Sequence, residues 1–402
     1  MAKVVVLGAG AAGEVAVRLL ARSGVFDEVV AVDIRPERLR AIRRQYRTRR
    51  LRTVEADLSV ESHLRRACKG ASVILNCALP NINMAVMNQA LRQKAHYIDL
   101  AAMAYPDPRR RSGVVEQIKL AREFRKRDLT GILGLGVAPG MTDLFAALAA
   151  QRFGALKEVR IRVYGSGYAQ VEGHTLAPLF SPETFLDEVL YPAPVWRDGR
   201  LEKLPPFNGR EVYRFPNPLG PATCYNVNNE ETETMPRFID REIRFIDFKY
   251  AIAPERKSLI EGLYHIGLTS SKPIKVQGKD IVPYHVLLAL LPKSDSVVDR
   301  ARGHTCVLLE VVAAGGNIHR RFWTIMSHAE ARRRHGVTAT AYMTGTPPAV
   351  AAESLQLGSL QRRGVMSAGG LEAGVLLKGL LHRGMPLFEG DPFSASGAPL
   401  AL

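Results

Sequence analysis

Three glycines, Gly8, Gly10 and Gly13, stand near the head of the chain in VVVLGAGAAGE, with Ala11 and Ala12 between the last two. Residues this small at this spacing let a backbone turn sharply against a phosphate. Gly8 permits the turn, Gly10 lets amides approach a pyrophosphate, and Gly13 lets the following helix pack closely. The run KVVVL before them reads as a strand buried on both faces. GEVAVRLLARSG after them reads as a helix whose N-terminus attracts phosphate charge. A second strand, EVVAVD, ends in Asp33 twenty residues beyond Gly13. A carboxylate there accepts hydrogen bonds from an adenosine ribose, and the context marks the segment as a dinucleotide-binding turn. Because that carboxylate repels a 2′-phosphate, NAD is the expected cofactor and NADP the alternative. Ile34, Arg35 and Arg38 follow, with the arginines placed to stack on adenine or meet a phosphate.

A nicotinamide enzyme needs a group to hold the substrate, a base for the reacting proton and an anchor for any substrate carboxylate. Asp99, closing the strand HYIDLA, is the expected ammonium partner, with a structural acid as the plain alternative. His174 in QVEGHT has the pKa of a proton shuttle. Tyr342 in AYMTGTPP is a further candidate beside the cofactor. Glu231 and Glu233 in NNEETETMP are candidates for binding an amine, and Arg237 for clamping a carboxylate in a bidentate pair. Exposed loop side chains and a core tyrosine are the competing readings. Cys77 reads as a small residue lining the nicotinamide pocket rather than a nucleophile, which would need an electropositive niche. No histidine pair has metal-ligand spacing with a third acid, so no metal is expected.

The elements that must position these groups alternate as in a doubly wound sheet. LRTVEADL reads as a third strand, with Asp57 and Leu58 meeting adenine. ASVILNCALP is a fourth, HYIDLA a fifth and TGILGLG a sixth. The carboxyl ends of such strands collect ligands, which places Cys77, Ala78, Leu79, Pro80, Val137 and Pro139 near the nicotinamide. After residue 150 the texture changes to alternating strands, EVRIRVYGSG, EIRFIDFKYAI, SKPIKVQG, TCVLLEVVAAG and HRRFWTIMSH. The expected fold is α/β: an N-terminal Rossmann doubly wound parallel sheet (1–135, completed by about 337–402), and a second α+β domain with a mixed sheet (136–336) for substrate binding.

At 402 residues the chain suits two domains. Lysine and arginine (55) exceed aspartate and glutamate (39) by 16. The surplus is mostly arginine scattered along helices, without interleaved aromatics, so a solvated basic surface is expected and no nucleic-acid partner. No apolar run has the length of a membrane span, and the N-terminus lacks the pattern of a secretory signal. Four separated cysteines with no CxxC pair read as reduced thiols. A cytoplasmic enzyme with a small-molecule substrate is expected.

With these residues in view, the chain resembles the saccharopine dehydrogenase family nearly from end to end. The carrying segments are VVVLGAGAAGE, NCALP, HYIDLA, LGVAPGMTDLFA, NPLGPATCYNVNNEETETMP, GLTSSKPIKVQGKDIVP, VTATAYMTGTPPAVAAESLQLG and GVMSAGGLEA. The resemblance implies hydride transfer between a nicotinamide and a C–N bond through an imine, an amino-acid or polyamine-type substrate, and a homodimer. LGVAPGM looks like the lysine 6-dehydrogenase form, while saccharopine reductases tend to carry an aspartate where this chain has Ala138. GLTSSKPI and AYMTGTPP look closer to the carboxyspermidine dehydrogenase branch, whose NADP-type pattern Asp33 departs from. A saccharopine- or lysine-like substrate is the leading expectation, a carboxynorspermidine-type NADPH reductase the second, and a non-catalytic nicotinamide-binding regulator the third.

Overall fold

A computed structural model describes residues 1–165, 174–294, 296–315, 319–393 and 398–402. Seven strands form a parallel sheet in the order Gly364–Ser367, Thr130–Leu133, His96–Asp99, Val73–Asn76, Lys3–Leu7, Glu28–Asp33, Leu51–Glu55. The central strands are apolar on both faces because helices cover both. Val4, Val5, Val6 and Leu7 are all fully buried. The edge strand Leu51–Glu55 is only partly covered. Strand order reverses between Lys3–Leu7 and Val73–Asn76, which opens a crevice at their carboxyl ends. Gly8 donates its amide to Val32 and Cys77 donates to Leu7, so the turn and the neighbouring strand end are tied together there.

The helix Ala11–Ser23 follows the glycine turn and packs against the long helix Ala339–Gln356. The contact depends on Gly345. A Cβ at that position would lie 2.3 Å from the Ala12 carbonyl oxygen and 2.7 Å from the Val15 Cβ. Gly13 has the same property, since its Cβ would fall 2.0 Å from the Gly8 carbonyl oxygen. Its role is close packing under the turn, and it does not face the cleft described below.

The second sheet is mixed, running Glu211–Phe215, Gly220–Asn226, Phe245–Ala251, Leu156–Tyr164, His304–Ala313, His319–Ser327, Leu387–Gly390, Ala398–Pro399. The central pair Phe245–Ala251 and Leu156–Tyr164 is parallel, and the other neighbours along this order are antiparallel. Val159, Ile161 and Val163 turn one face into the core. On the other face the buried Arg162 guanidinium bonds both oxygens of Asp247, at 2.7 and 2.9 Å.

Two features differ from the sequence reading. Residues 337–402 do not all return to the parallel sheet. Gly364–Ser367 adds a seventh strand there, beside Thr130–Leu133, but Leu387–Gly390 pairs with His319–Ser327 in the second sheet. SKPIKVQG joins neither sheet and forms a separate hairpin of Ile274–Val276 with Lys279–Ile281. No helix among the described residues is long and apolar enough to cross a membrane.

Candidate active site in the interdomain cleft

A cavity of about 630 Å³ lies between the two sheets. Its floor is the dinucleotide crevice. Gly8, Gly10, Ala11 and Ala12 line one part, Asp33, Ile34, Arg35, Asp57 and Leu58 a second, and Cys77, Ala78, Leu79, Pro80, Val137 and Pro139 a third. This is the full set expected for the cofactor except Gly13. Asp33 Oδ2 accepts from the Ala9 amide at 2.7 Å and Oδ1 from the Arg35 amide at 2.9 Å. The Arg35 guanidinium stands 3.5 Å from the same carboxylate. Each carboxylate oxygen retains a lone pair for a ribose hydroxyl. Gly10 has nothing within 4 Å of where a Cβ would stand, so the backbone there is open to close approach. These residues fit a nicotinamide dinucleotide: the turn and helix N-terminus would hold its pyrophosphate, and Asp33 its ribose. Burial keeps the Cys77 thiol protonated, its pKa pushed up first by desolvation and then by Asp99.

The opposite wall comes from the second domain and was not foreseen. It includes Phe180, Ser181, Glu183, Thr184, Glu188, Tyr250, Leu288, Lys293 and Ser294. Glu183 and Glu188 lie on the helix Pro182–Leu190, which Ser181 caps by accepting from the Thr184 amide. The Ser181 hydroxyl also holds Glu183 Oε2 at 2.8 Å. Tyr250 donates its hydroxyl to Glu188 at 2.7 Å. Burial pushes the Glu188 carboxyl well above the usual carboxylate range, and Glu230 and Asp187 add to the rise while the tyrosine bond opposes it. Behind them burial carries Glu230 up to about 8, although it accepts from the Ala102 amide at 2.6 Å. Among the described residues, Glu183, Asp187, Glu188 and Glu230 have no ion-pair partner. Among the described residues, the cations lining the cavity are Arg35, beside Asp33, and Lys293.

The expected catalytic set is mostly elsewhere. Asp99 is buried under the crevice floor, with Oδ1 accepting from the Gly134 amide at 2.7 Å and Oδ2 from Tyr97 and Gln117 at 2.8 and 2.6 Å. It braces strand ends and does not line the cavity. Burial lifts its carboxyl to about 6, against those bonds. Tyr342 is buried in the other direction. It donates to the Arg383 carbonyl and stacks on His335, while its neighbours Thr340, Ala341 and Thr344 face the cavity. Glu231 is fully buried and takes the Thr142 hydroxyl at 2.9 Å. Glu233 holds the amide and hydroxyl of Ser112 at 3.1 and 3.3 Å, linking the two domains. Arg237 is exposed at the end of its helix and away from the cavity. His174, partly exposed, does not line the cavity either.

One signal in the sequence points to the missed wall. From Val163 to Trp196 there is no lysine or arginine, in a chain that holds 55 of them, and Glu183, Asp187 and Glu188 fall inside that gap.

Comparison with known proteins agrees with the geometry. Residues 4–132 match the family described as saccharopine dehydrogenase NADP binding domain, and residues 136–384 match the saccharopine dehydrogenase C-terminal domain. The chain belongs to the saccharopine dehydrogenase family, and it is an oxidoreductase that acts on C–N bonds with a nicotinamide dinucleotide. It is similar to carboxyaminopropylagmatine dehydrogenase of Synechocystis sp., at 24% identity over 97% of this chain and 98% of that one. It is also similar to carboxynorspermidine synthase of Vibrio alginolyticus, at 26% identity over 73% and 72%. Its fold resembles the homospermidine synthase of Legionella pneumophila in complex with NAD, with a TM-score of 0.68, 14% identity, and 94% and 88% of the two chains covered.

Proposed function

We propose that this enzyme joins an amine to an aldehyde-bearing amino acid by reduction, giving a carboxylated polyamine-type product. The carrying observation is the wall of Glu183 and Glu188 on the cavity that holds the dinucleotide crevice, with no ion-pair partner for either acid among the described residues. A cationic amine supplies the missing charge, and Lys293 on the same cavity is the available partner for a substrate carboxylate. The names of the two curated relatives, both carboxylated amines, support this reading over a saccharopine- or lysine-like substrate.

The chemistry asked of the chain is proton management. An amine adds to the aldehyde carbon, water leaves, and the resulting C=N bond takes a hydride at carbon and a proton at nitrogen. The bound dinucleotide supplies the hydride. Glu188, held by the Tyr250 hydroxyl, takes a proton from the incoming ammonium and returns one to the departing hydroxyl. Burial raises its proton affinity above that of an ordinary carboxylate, the direction a proton-accepting group needs. Asp33 supports NADH as the preferred donor. A cytoplasmic location fits the four free thiols. A homodimer is the expected assembly, which sedimentation velocity would test.

The test follows absorbance of the reduced nicotinamide with an amino-acid semialdehyde and a panel of amines, and in the other direction with lysine and saccharopine. Consumption with diamines upholds the proposal. Turnover confined to lysine or saccharopine would replace it with the amino-acid reading. Cofactor binding without turnover on any pair would favour a non-catalytic role.

A further inference from the structure

We infer that Glu183 and Glu188 together read the spacing between two nitrogens of the amine substrate, Glu188 holding the reacting nitrogen and Glu183 the distal one. This rests on the amine-joining reading above and adds a residue-level determinant to it.

Both carboxylates line one cavity and come from one helix, so their separation is set by rigid backbone rather than by a loop. They stand five positions apart, about 7.5 Å along the helix axis and about 140° around it, so the two carboxylates reach the cavity well separated and one diamine can place a nitrogen at each. Each carboxylate is already oriented by a partner that leaves acceptor capacity free: Ser181 for Glu183 and Tyr250 for Glu188. The two positions differ in kind. Glu188 carries the phenol and the raised proton affinity that chemistry needs. Glu183 has only a cap serine, which suits binding alone. Between them the wall is completed by Phe180 and Thr184, and Leu288 and Leu291 face the same space, so a methylene chain has apolar surface to lie along. A monoamine would leave the carboxylate at Glu183 facing the cavity with no cation. Such unpaired charge is what makes a site discriminate against a substrate lacking the group.

The experiment compares kcat/KM for putrescine and cadaverine with that for butylamine and pentylamine, in wild type, Glu183→Gln and Glu183→Asp. In Glu183→Gln the ratio of diamine to matched monoamine should fall by about 10- to 100-fold, the loss of one charge-assisted contact. In Glu183→Asp the shorter side chain should move the preferred diamine toward the longer member. A merely structural glutamate would not produce that shift. An unchanged ratio in Glu183→Gln, or equal loss on diamines and monoamines, overturns the inference. If wild type turns over no amine, the reaction proposed above has failed, and titration of cadaverine into the enzyme by calorimetry decides the spacing question. Weaker binding in Glu183→Gln then upholds it, and unchanged binding overturns it.

Discussion

The backbone amide of Ala9 donates to Asp33 across 2.7 Å, so one carboxylate both shapes the glycine turn and faces the ribose position. Asp33→Ser removes the charge that opposes a 2′-phosphate and leaves Arg35 beside it. The expected result is a drop of about 10- to 100-fold in kcat/KM with NADH and a gain with NADPH. Steady-state assays with both donors measure it. An unchanged preference would mean that residue 33 does not select the cofactor.

Glu188 and Tyr250 form the proposed proton-transfer pair, and Tyr250→Phe keeps the ring while deleting the hydroxyl. It should lower kcat by about 100-fold with a smaller change in KM. It should also move the acidic limb of the kcat profile, because the phenol bond holds the Glu188 pKa down. Tyr342→Phe, which loses only a bond to the Arg383 carbonyl, should leave the profile in place.

Folding stability should respond to pH in a direction set by Glu230. Its native pKa, about 8 through burial, lies above the ordinary value of 4.5. The native state therefore binds the extra proton, and stability falls as pH rises toward 8. The buried His328 and the partly buried His96 and His335, each lowered to about 4 chiefly by desolvation, act oppositely, but only below their ordinary value of 6.5. Denaturant unfolding between pH 6.5 and 8.5 should then show stability falling by at most about 1.4 kcal/mol per pH unit for this proton. Glu230→Gln should flatten the slope. A slope unaffected by the substitution would remove Glu230 as its source.

Gly345→Ala pushes a methyl into the Ala12 carbonyl and should cost about 1–3 kcal/mol or more, lowering the thermal midpoint and weakening cofactor binding through the displaced helix. Gly374→Ala, in a helix with nothing within 4 Å, is the contrasting change and should be neutral or slightly stabilising.

The dinucleotide turn was readable because its signals are local: a strand, three glycines, a helix and an acid at the next strand end. Cys77 to Pro80 followed from the rule that strand ends collect ligands. The proposed proton-transfer wall was not readable in that way, because Glu188 and Tyr250 come from distant segments and meet only through the packing of the second domain. Asp99 was misjudged by orientation. It sits at the right strand end, yet its carboxylate turns under the Gly134 amide. Tyr342 missed by rotation: at about 100° per residue, Thr340, Ala341 and Thr344 face the cleft and Tyr342 does not. The seventh parallel strand, Gly364–Ser367, carries little local signal, because GVMS is only four residues long, begins on a glycine and is followed by Gly369 and Gly370.

The interleaving of Gly364–Ser367 and Leu387–Gly390 with different sheets has a consequence for biogenesis. Neither sheet has all its strands until the ribosome has made the segment beyond residue 360, so neither domain can fold to completion while the other waits. The nascent chain must hold the Thr130–Leu133 edge unfinished through most of its synthesis, and the His319–Ser327 edge for a shorter stretch near the end. The same braid ties the cleft walls together at maturity.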